Sequence, residues 1–207
     1  MEQRKLYISD LHLFHKNVTK AGRDFDKRPY MDLEEMHSDI LLKWNQAVTN
    51  ADHVFILGDF VWKFTADNRD EVMKMLKEMN GNLHLIIGNH DKIKDSNFKK
   101  RFEEIVHYKR VDDVLDGENR TVIMSHYYMP LYEQHYRGAI LLHGHSHNSS
   151  ESDMEREITE LVKSKGFSPV EIYNIGCMYP YMDYTPRTLQ EIVDGYHKYN
   201  LKNLRSK

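Results

Sequence analysis

Five short apolar runs in this chain each end in residues that can bind a metal or transfer a proton. The runs are YISDLH, ending at His12, FILGD at Asp59, LIIGNHD at Asp91, VIMSH at His126 and LLHGHSH at His147. Each run has the length and β-branched content of a buried strand. Because ligands of open α/β sheets bind beyond the carboxyl ends of the strands, five such endings predict one shared polar site.

The segments between the early runs predict helices, so the chain is expected to have an α/β fold. Apolar residues repeat with helical spacing over 31–48 and 69–80, and a third helix is predicted over 95–107, with Asp95 or Ser96 as its N-cap. Alternating strands and helices are typical of layered α/β architectures. Beyond residue 108, the turn sequence DGEN predicts a hairpin or a second sheet, and a final helix is expected over roughly 188–198.

The length of 207 residues suits a single domain, 1–207, that carries one inserted segment. The sequence SSESDMEREITELVKSKGFSP, at about 149–169, predicts a charged amphipathic helix between two strands. This segment directly follows the run that ends at His147. We therefore expect it to form a lid over the site or a contact in an oligomer.

Composition and charge exclude several classes of protein. A net charge of −3 gives no general attraction to nucleic acid or to an anionic membrane. No apolar stretch approaches the roughly 18 residues of a membrane span, and we expect no signal peptide. A single cysteine, Cys177, excludes an internal disulfide framework and a multi-thiolate metal site. We therefore expect a cytoplasmic protein with no membrane partner and no general nucleic-acid binding.

The polar residues at the strand ends carry the donor atoms that divalent metals prefer. They offer carboxylate, amide and imidazole groups, which suit Mn, Fe, Ni or Zn and leave the identity of the metal open. The predicted ligands are Asp10, His12, Asp59, Asn89, His126, His145 and His147. These exceed the roughly four ligands of one tetrahedral zinc site, but they suffice for two divalent metal ions when one carboxylate bridges them. Such a pair generates a nucleophile from water, so no serine or cysteine nucleophile is required.

Three histidines alternate in the last run, at His143, His145 and His147. In an extended segment, this spacing places all three side chains on one side. His143 precedes a glycine and is expected to lie in the strand as a core or supporting residue. The other two are expected to form one wall of the metal site.

The order of the motifs resembles the calcineurin-like metallophosphoesterase superfamily. The motifs stand in this chain as Asp10-Leu11-His12, Gly58-Asp59, Gly88-Asn89-His90-Asp91, His126 and Gly144-His145-Ser146-His147. They span residues 7–147, which is most of the chain, and the ordered set is highly specific. The segments SDLHLFHKN and SHYYMP further resemble the small, stand-alone bacterial and phage branch.

The resemblance implies a fold, a ligand set and a reaction. It implies an α/β sandwich of two sheets flanked by helices, with the dimetal site at the C-terminal strand ends. It assigns the first metal to Asp10, His12, Asp59 and His147, and the second to Asp59, Asn89, His126 and His145. It also implies hydrolysis of a phosphate ester by a metal-bridging hydroxide. His90 would contact the phosphate or protonate the leaving oxygen.

One departure from the family pattern bears on the substrate. The protein Ser/Thr phosphatase branch continues its GD motif as GD-x-V-D-R, whereas this chain has Trp62 and Lys63 at the last two positions. The carboxylate that supports the catalytic histidine is missing there, and Asp91 is the candidate to orient His90 instead. We therefore favour small phosphodiesters over phosphoproteins. A phosphomonoesterase, a nuclease of the same superfamily and a non-catalytic scaffold of the same fold remain alternatives.

Four further residues are candidates for binding the phosphate-ester substrate. They lie in the loop after the first predicted strand, before a proline, or beside a predicted ligand, and they are His15, Asn17, Arg28 and Tyr127. Arg28 would clamp a phosphate, and Tyr127 would stack on a base or a sugar. Beyond this small molecule, the sequence indicates no partner except a second copy of the chain in a homo-oligomer.

Overall fold

The computed structural model describes residues 3–92 and 94–204, and its strands form two four-stranded sheets. The first sheet is wholly parallel and consists, in spatial order, of Lys5–Ile8 (β1), His53–Ile56 (β2), Asn82–Ile86 (β3) and Phe102–Val106 (β4). The second sheet consists, in order, of Tyr108–Leu115 (β5), Glu118–Ser125 (β6), Ile140–His143 (β7) and Glu171–Asn174 (β8). Only the β5–β6 pair of this sheet is antiparallel.

Five α-helices accompany the sheets in the described residues. They are Leu33–Ala47 (α1), Arg69–Glu78 (α2), Ser96–Lys99 (α3), Ser150–Ser164 (α4) and Leu189–Leu204 (α5). The Asp32 side chain caps α1 by accepting a hydrogen bond from the Glu35 amide, and the helix buries Met36, Ile40 and Trp44 as its spacing predicts. None of these helices is both long enough and apolar enough to cross a membrane.

The two sheets meet at the carboxyl ends of β1 and β8. The Ser9 amide donates to the Ile175 carbonyl at 3.1 Å, and the Cys177 amide donates to the Ser9 carbonyl at 2.9 Å. One hydrophobic core includes residues of both sheets, such as Ile8 of β1 and Tyr173 of β8. The predicted α/β architecture of two sheets flanked by helices is confirmed. Its consequence is that loops from both sheets open at the same edge.

The prediction of a helix over 95–107 is wrong for most of that segment. Asp95 does cap a helix, because its side chain accepts from the Asn97 and Phe98 amides, but α3 ends at Lys99. Residues 102–106 instead form β4, which pairs in parallel with β3. Phe102 is buried against Phe98, so burial and strand pairing outweigh the local helical pattern.

Two other expectations about local structure are confirmed. Asp116 and Gly117 have φ values of 53° and 80°, the left-handed conformations that a two-residue hairpin turn between β5 and β6 requires. The segment at about 149–169 contains α4, and Ser149 caps it by accepting from the Glu151 amide. The last helix begins near the predicted residue but continues to Leu204.

Candidate metal centre

Two groups of ligating side chains lie where the two sheets meet. Asp10, His12 and His147 form the first group, and one ligating atom from each lies within 4.8 Å of the others. Asp59, His126 and His145 form the second group by the same criterion. Every one of these residues follows or ends an apolar strand, so parallel strand ends bring them together as the sequence predicts.

Asp59 lies between the two groups. Its Oδ2 atom is 3.5 Å from His12 Nε2 and 3.6 Å from His126 Nε2. Burial raises the pKa of this carboxyl group, whereas the neighbouring imidazole of His126 acts to lower it. One carboxylate thus contacts a histidine of each group, as a bridging ligand must.

Asn89 completes the second group. Its Oδ1 atom lies 3.0 Å from both His126 Nε2 and His145 Nδ1. The amide oxygen cannot donate a proton to either ring, and it suits a divalent cation as a ligand. The structure therefore brings all seven predicted ligands into one place.

Hydrogen bonds on the far side of two rings fix which nitrogen faces the groups. His126 Nδ1 lies 2.8 Å from the Leu57 carbonyl oxygen and His147 Nδ1 lies 3.0 Å from Asp26 Oδ1. Because both oxygens accept, each Nδ1 carries the proton in these bonds. The neutral form of each ring therefore presents the lone pair of Nε2 to the ligand group, as a metal ligand requires.

The histidines of the first group, like His126 of the second, are arranged to bind a metal ion through Nε2. The Nε2 atoms of His12 and His147 are only 3.1 Å apart, and both rings are mostly buried. Burial, followed by the nearby His147, holds the pKa of His12 well below its usual range, so its ring is neutral. With the His12 proton on Nδ1, two buried acceptor nitrogens face each other; with it on Nε2, that atom can donate to His147, but in both cases the buried Nδ1 of His12 has no hydrogen-bond partner among the described residues. A cation held by both Nε2 atoms suits the first arrangement. The residues of both groups thus fit divalent metal ions.

The backbone of the ligand residues is unusual, and it corrects one prediction. Positive φ values, which residues other than glycine rarely adopt, occur at Asp10, His12, Asp59, His145 and His147. Strained residues of this kind cluster at functional sites. β7 ends at His143, and the φ values of 69° at His145 and 51° at His147 send these side chains to different groups. His145 and His147 therefore do not form the single wall that their spacing predicts, but divide between the two groups as the family resemblance implies.

Two glycines allow the ligand loops to approach each other. A Cβ atom on Gly88 would collide with the carboxylate and backbone nitrogen of Asp59. A Cβ atom on Gly144 would collide with the side chains of Ser9 and Asp10. Any larger residue at either position would displace a carboxylate of the metal centre.

Comparison with known proteins agrees with this geometry. The family model of the calcineurin-like phosphoesterases matches residues 4–167. The chain belongs to the calcineurin-like phosphoesterase family. An uncharacterized protein of Methanocaldococcus jannaschii is 30% identical over 148 residues, which cover 71% of this chain and 72% of that protein. The crystal structure of a protein of unknown function from Aquifex aeolicus covers 93% of this chain and 99% of its own, with a TM-score of 0.63 and 25% identity.

Membership of the calcineurin-like phosphoesterase family makes this protein a metal-dependent phosphoesterase in general terms and implies a pair of divalent ions. Neither relative is described with a substrate. The substrate must therefore be argued from the residues around the two ligand groups.

Asp91 of the phosphoesterase motif does not orient His90, contrary to our expectation. Its buried carboxylate accepts hydrogen bonds from the backbone amides of Asp59, Phe60 and Gly88, at 2.8, 3.0 and 2.9 Å. Burial raises the pKa of Asp91 to about 6 although these bonds oppose the shift. Asp91 therefore holds two ligand loops together, and its carboxylate is occupied by backbone amides instead of the His90 ring.

His90 lies at the edge of the metal centre, where an indole supports it. Its Nε2 is 3.9 Å from Asp59 Oδ2, and a third of its side chain is exposed. The Trp62 ring packs against the His90 ring at 4.2 Å between centroids, while His15 stacks on Trp62 at 3.7 Å. Trp62, which stands at the sequence position of the carboxylate in the protein phosphatase branch, thus makes an aromatic stack with His15 and His90.

The four substrate candidates lie in different environments. His15 and Asn17 line the cavity that contains both ligand groups, so their contact with substrate stays a prediction. Tyr127 is about half exposed, and its ring packs edge-on against His145 at 4.7 Å beside the second group. Arg28, by contrast, is fully buried, which corrects its prediction as a phosphate clamp. Its guanidinium donates to the backbone carbonyls of Asp10 and Leu11, so it supports the first ligand loop.

Three supporting residues escaped the sequence analysis. Asp26 accepts from His147 Nδ1 and from Arg28 Nε, but it stands in a loop 121 residues before His147. Glu155 of α4 accepts a hydrogen bond from the Ser146 hydroxyl at 2.6 Å, and Asn174 also donates to that hydroxyl. The motif that predicts ligands carries no signal for partners this distant, because the chain brings them together only on folding. His143 is buried and its Nδ1 contacts the Gly144 carbonyl, as expected of a supporting residue.

The cavity over the metal centre has a volume of about 920 Å³. Five of the seven predicted ligands line its floor together with His90, and its more exposed rim includes Arg23, Phe25, Lys27, Met178 and Pro180. Ser149 and Glu151, at the start of α4, line it as well. The cavity is therefore much larger than a phosphate group, and it has room for the organic part of an ester.

Proposed function

We propose that this protein hydrolyses small phosphodiesters at a two-metal centre. One observation carries the proposal: Asp59 Oδ2 lies within 3.6 Å of a histidine nitrogen from each ligand group. A shared carboxylate favours two cations that are close enough to act on the same phosphate. The remaining ligands divide between the two ions as the groups indicate.

The residues of the chain have separate tasks in this reaction. When bound, two divalent ions such as Mn, Fe, Ni or Zn supply an activated water and neutralise charge on the phosphate. Asp26 and Leu57 hold the proton on Nδ1 of His147 and His126, so these rings stay oriented as ligands. His90 Nε2 faces the cavity beside Asp59 and delivers a proton to the leaving oxygen.

The distribution of cationic side chains supports a diester rather than a monoester. Among the described residues that line the cavity, the Lys and Arg side chains are Arg23 and Lys27, and both lie at its exposed rim. Arg28 is buried beneath the first ligand loop. A monoester carries an additional negative charge at neutral pH, and no arginine or lysine of the described residues stands at the floor to neutralise it. A phosphomonoesterase remains the second candidate on the same ligands.

The complete ligand set argues against a non-catalytic scaffold. A scaffold has no reason to keep two converging groups of buried acceptors, because such groups destabilise a protein that binds no cation. The single cysteine, Cys177, excludes an internal disulfide, and this supports our proposal of a cytoplasmic location with a reducing environment.

Substitution at the shared carboxylate tests the proposal. Asp59→Asn should abolish hydrolysis of bis-p-nitrophenyl phosphate by the Mn-reconstituted protein and reduce the bound metal from two ions per chain, measured by elemental analysis. His145→Ala should lose chiefly one ion. Asp70→Asn, at an exposed carboxylate in α2, is the control and should change neither quantity. Hydrolysis that survives Asp59→Asn would remove the two-metal mechanism, and faster cleavage of p-nitrophenyl phosphate would establish the monoesterase.

A further inference from the structure

We propose that the cavity rim binds an aromatic ring of the substrate, such as a nucleobase, against Phe25. This inference rests on the proposed diester hydrolysis and names the class of ester. Phe25 lines the cavity, yet 54% of its surface is exposed. Its ring lies 5.9 Å from that of His147, a predicted metal ligand. One nucleotide can therefore contact the metal centre and Phe25 together.

The other large aromatic side chain of the cavity is already covered. Trp62 is stacked flat on His15, with ring planes 3° apart, and packs against His90 at 4.2 Å. Among the described residues, the aromatic contacts of Phe25 are tilted, at 5.6 Å between ring centroids with His15 and at 5.9 Å with His147. Phe25 thus has the exposed ring surface on which a planar group can stack.

The surroundings of Phe25 suit a nucleotide. Arg23 and Lys27 stand two residues before and after it, are exposed and line the same cavity. Their positive charges attract a phosphate ester towards the rim. Met178 and Pro180 also line the cavity and add apolar surface. The rim therefore combines an aromatic ring, apolar contacts and cations, which together favour a base attached to a phosphate.

Two diesters with the same leaving group test this subsite. We would compare kcat/KM for thymidine 5′-p-nitrophenyl phosphate and methyl p-nitrophenyl phosphate in the Mn-loaded protein. The wild type should prefer the thymidine ester, and Phe25→Ala should reduce this preference about 5- to 150-fold. Phe25→Tyr should retain it. Leu131→Ala removes an exposed apolar side chain that does not line the cavity, and it should leave the preference unchanged.

A binding measurement separates this proposal from the proposed function. Thymidine 5′-monophosphate should bind the Mn-loaded wild type more tightly than inorganic phosphate does, and Phe25→Ala should remove the difference. If neither diester is hydrolysed but this binding difference is found, the subsite stands and the diester function fails. An unchanged preference, or unchanged thymidine monophosphate binding in Phe25→Ala, would overturn the subsite.

A separate observation concerns α4, which packs with its polar residues inward. Ser152, Glu155 and Thr159 are buried, whereas Met154 and Leu161 are 55% and 56% exposed. Ile158 lies between the latter two at spacings of four and three residues, so the three apolar side chains form one stripe. A surface helix ordinarily has the opposite arrangement.

The inward polar residues have partners, so the orientation of α4 is fixed. The Ser146 hydroxyl donates to Glu155, and Thr159 Oγ1 lies 2.9 Å from the Tyr128 hydroxyl. Rotating the helix to bury the apolar stripe would break these bonds. The stripe of Met154, Ile158 and Leu161 must therefore be covered from outside this chain or remain in water.

We infer that α4 pairs in antiparallel orientation with α4 of a second copy. The first turn carries Glu151, and Lys165 follows the far end of the helix, whereas Asp153 and Lys163 already pair with Arg156 and Glu160 of the same helix. In an antiparallel pair centred on Ile158, each acidic end lies against the basic end of the other copy. Met154 then meets Leu161 of the second copy. This charge complementarity is what commits the stripe to a second copy of the same chain.

A cysteine on the symmetry axis tests the pairing. Ile158→Cys should form a disulfide-linked dimer on mild oxidation, because the two thiols face each other and the native Cys177 is buried. Val114→Cys, at a position 55% exposed on β5, is the control and should not. Wild type should sediment as a dimer and Met154→Glu as a monomer. A wild type that stays monomeric at high concentration, or equal cross-linking by both cysteine variants, would overturn the pairing.

Discussion

The role of Asp91 as a holder of two loops leads to a quantitative prediction about stability. Asp91→Ala removes the acceptor of three buried backbone amides, those of Asp59, Phe60 and Gly88. Each buried amide left without a partner costs about 1–3 kcal/mol. Water that enters the space of the lost carboxylate offsets part of this cost. We therefore take the lower value for each of the three amides, which gives a total loss of about 3 kcal/mol in the free energy of unfolding. For a chain of this size, that loss lowers Tm by about 6–12 °C.

The measurement is thermal denaturation followed by circular dichroism, in EDTA at pH 8. At this pH Asp91 is ionised, because its pKa is about 6. Removing metal ensures that the change in Tm reports the loops and not the loss of a cation. Asp70→Ala, at an exposed carboxylate, should stay within about 0.5 kcal/mol of the wild type. An Asp91→Ala protein with the wild-type Tm and a reduced kcat would refute this reasoning. It would instead support the original expectation that Asp91 orients the His90 ring.

Three further predictions concern residues that support the ligands. Burial raises the pKa of Glu155 from 4.5 to about 7, so the folded protein holds this proton more tightly than the unfolded chain does. The contribution of Glu155 to stability should therefore fall as pH rises from 4.5 to 7, so urea denaturation should show the stability of Glu155→Gln rising relative to the wild type over that range. Asp26→Asn removes the negative charge from the acceptor that orients His147, and metal titration should show about 10–100-fold weaker binding at one of two ions. Gly144→Ala places a methyl group against the Asp10 carboxylate, and elemental analysis should show loss of the same ion. Wild-type metal content in Gly144→Ala, or unchanged affinity in Asp26→Asn, would contradict these assignments.

The prediction of the fold is correct where the pattern of apolar residues within a segment is enough to identify its secondary structure. The parallel strands β1, β2 and β3 follow from short apolar runs, and α1 follows from its helical spacing. The prediction failed over 102–106, because the apolar residues of FEEIV have the i, i+3, i+4 spacing of a helix and only pairing with β3 decides for a strand. Strand pairing between distant segments is not encoded in a local window, so this kind of error is expected.

The sequence by itself determined which side chains gather at the metal centre. Polar residues that follow parallel apolar strands must lie at one edge of the sheet, whatever conformation the loops adopt. The same argument explains why Asn89, at the end of the β3 run, reaches the histidines of the second sheet. Local hydrophobic patterning was sufficient here because strand direction alone fixes the place.

Residue spacing does not specify how these side chains divide, which the family resemblance implied and the tertiary structure shows, and only the tertiary structure decided what supports them. His145 and His147 are two residues apart, yet left-handed backbone conformations direct them to different ligand groups. Asp26 and Glu155 reach the ligand loops from distant segments, and Arg28 turns inward to hold a loop. These arrangements depend on backbone angles and long-range packing, which residue spacing does not specify. Many paths of the chain are compatible with the same order of apolar and polar residues.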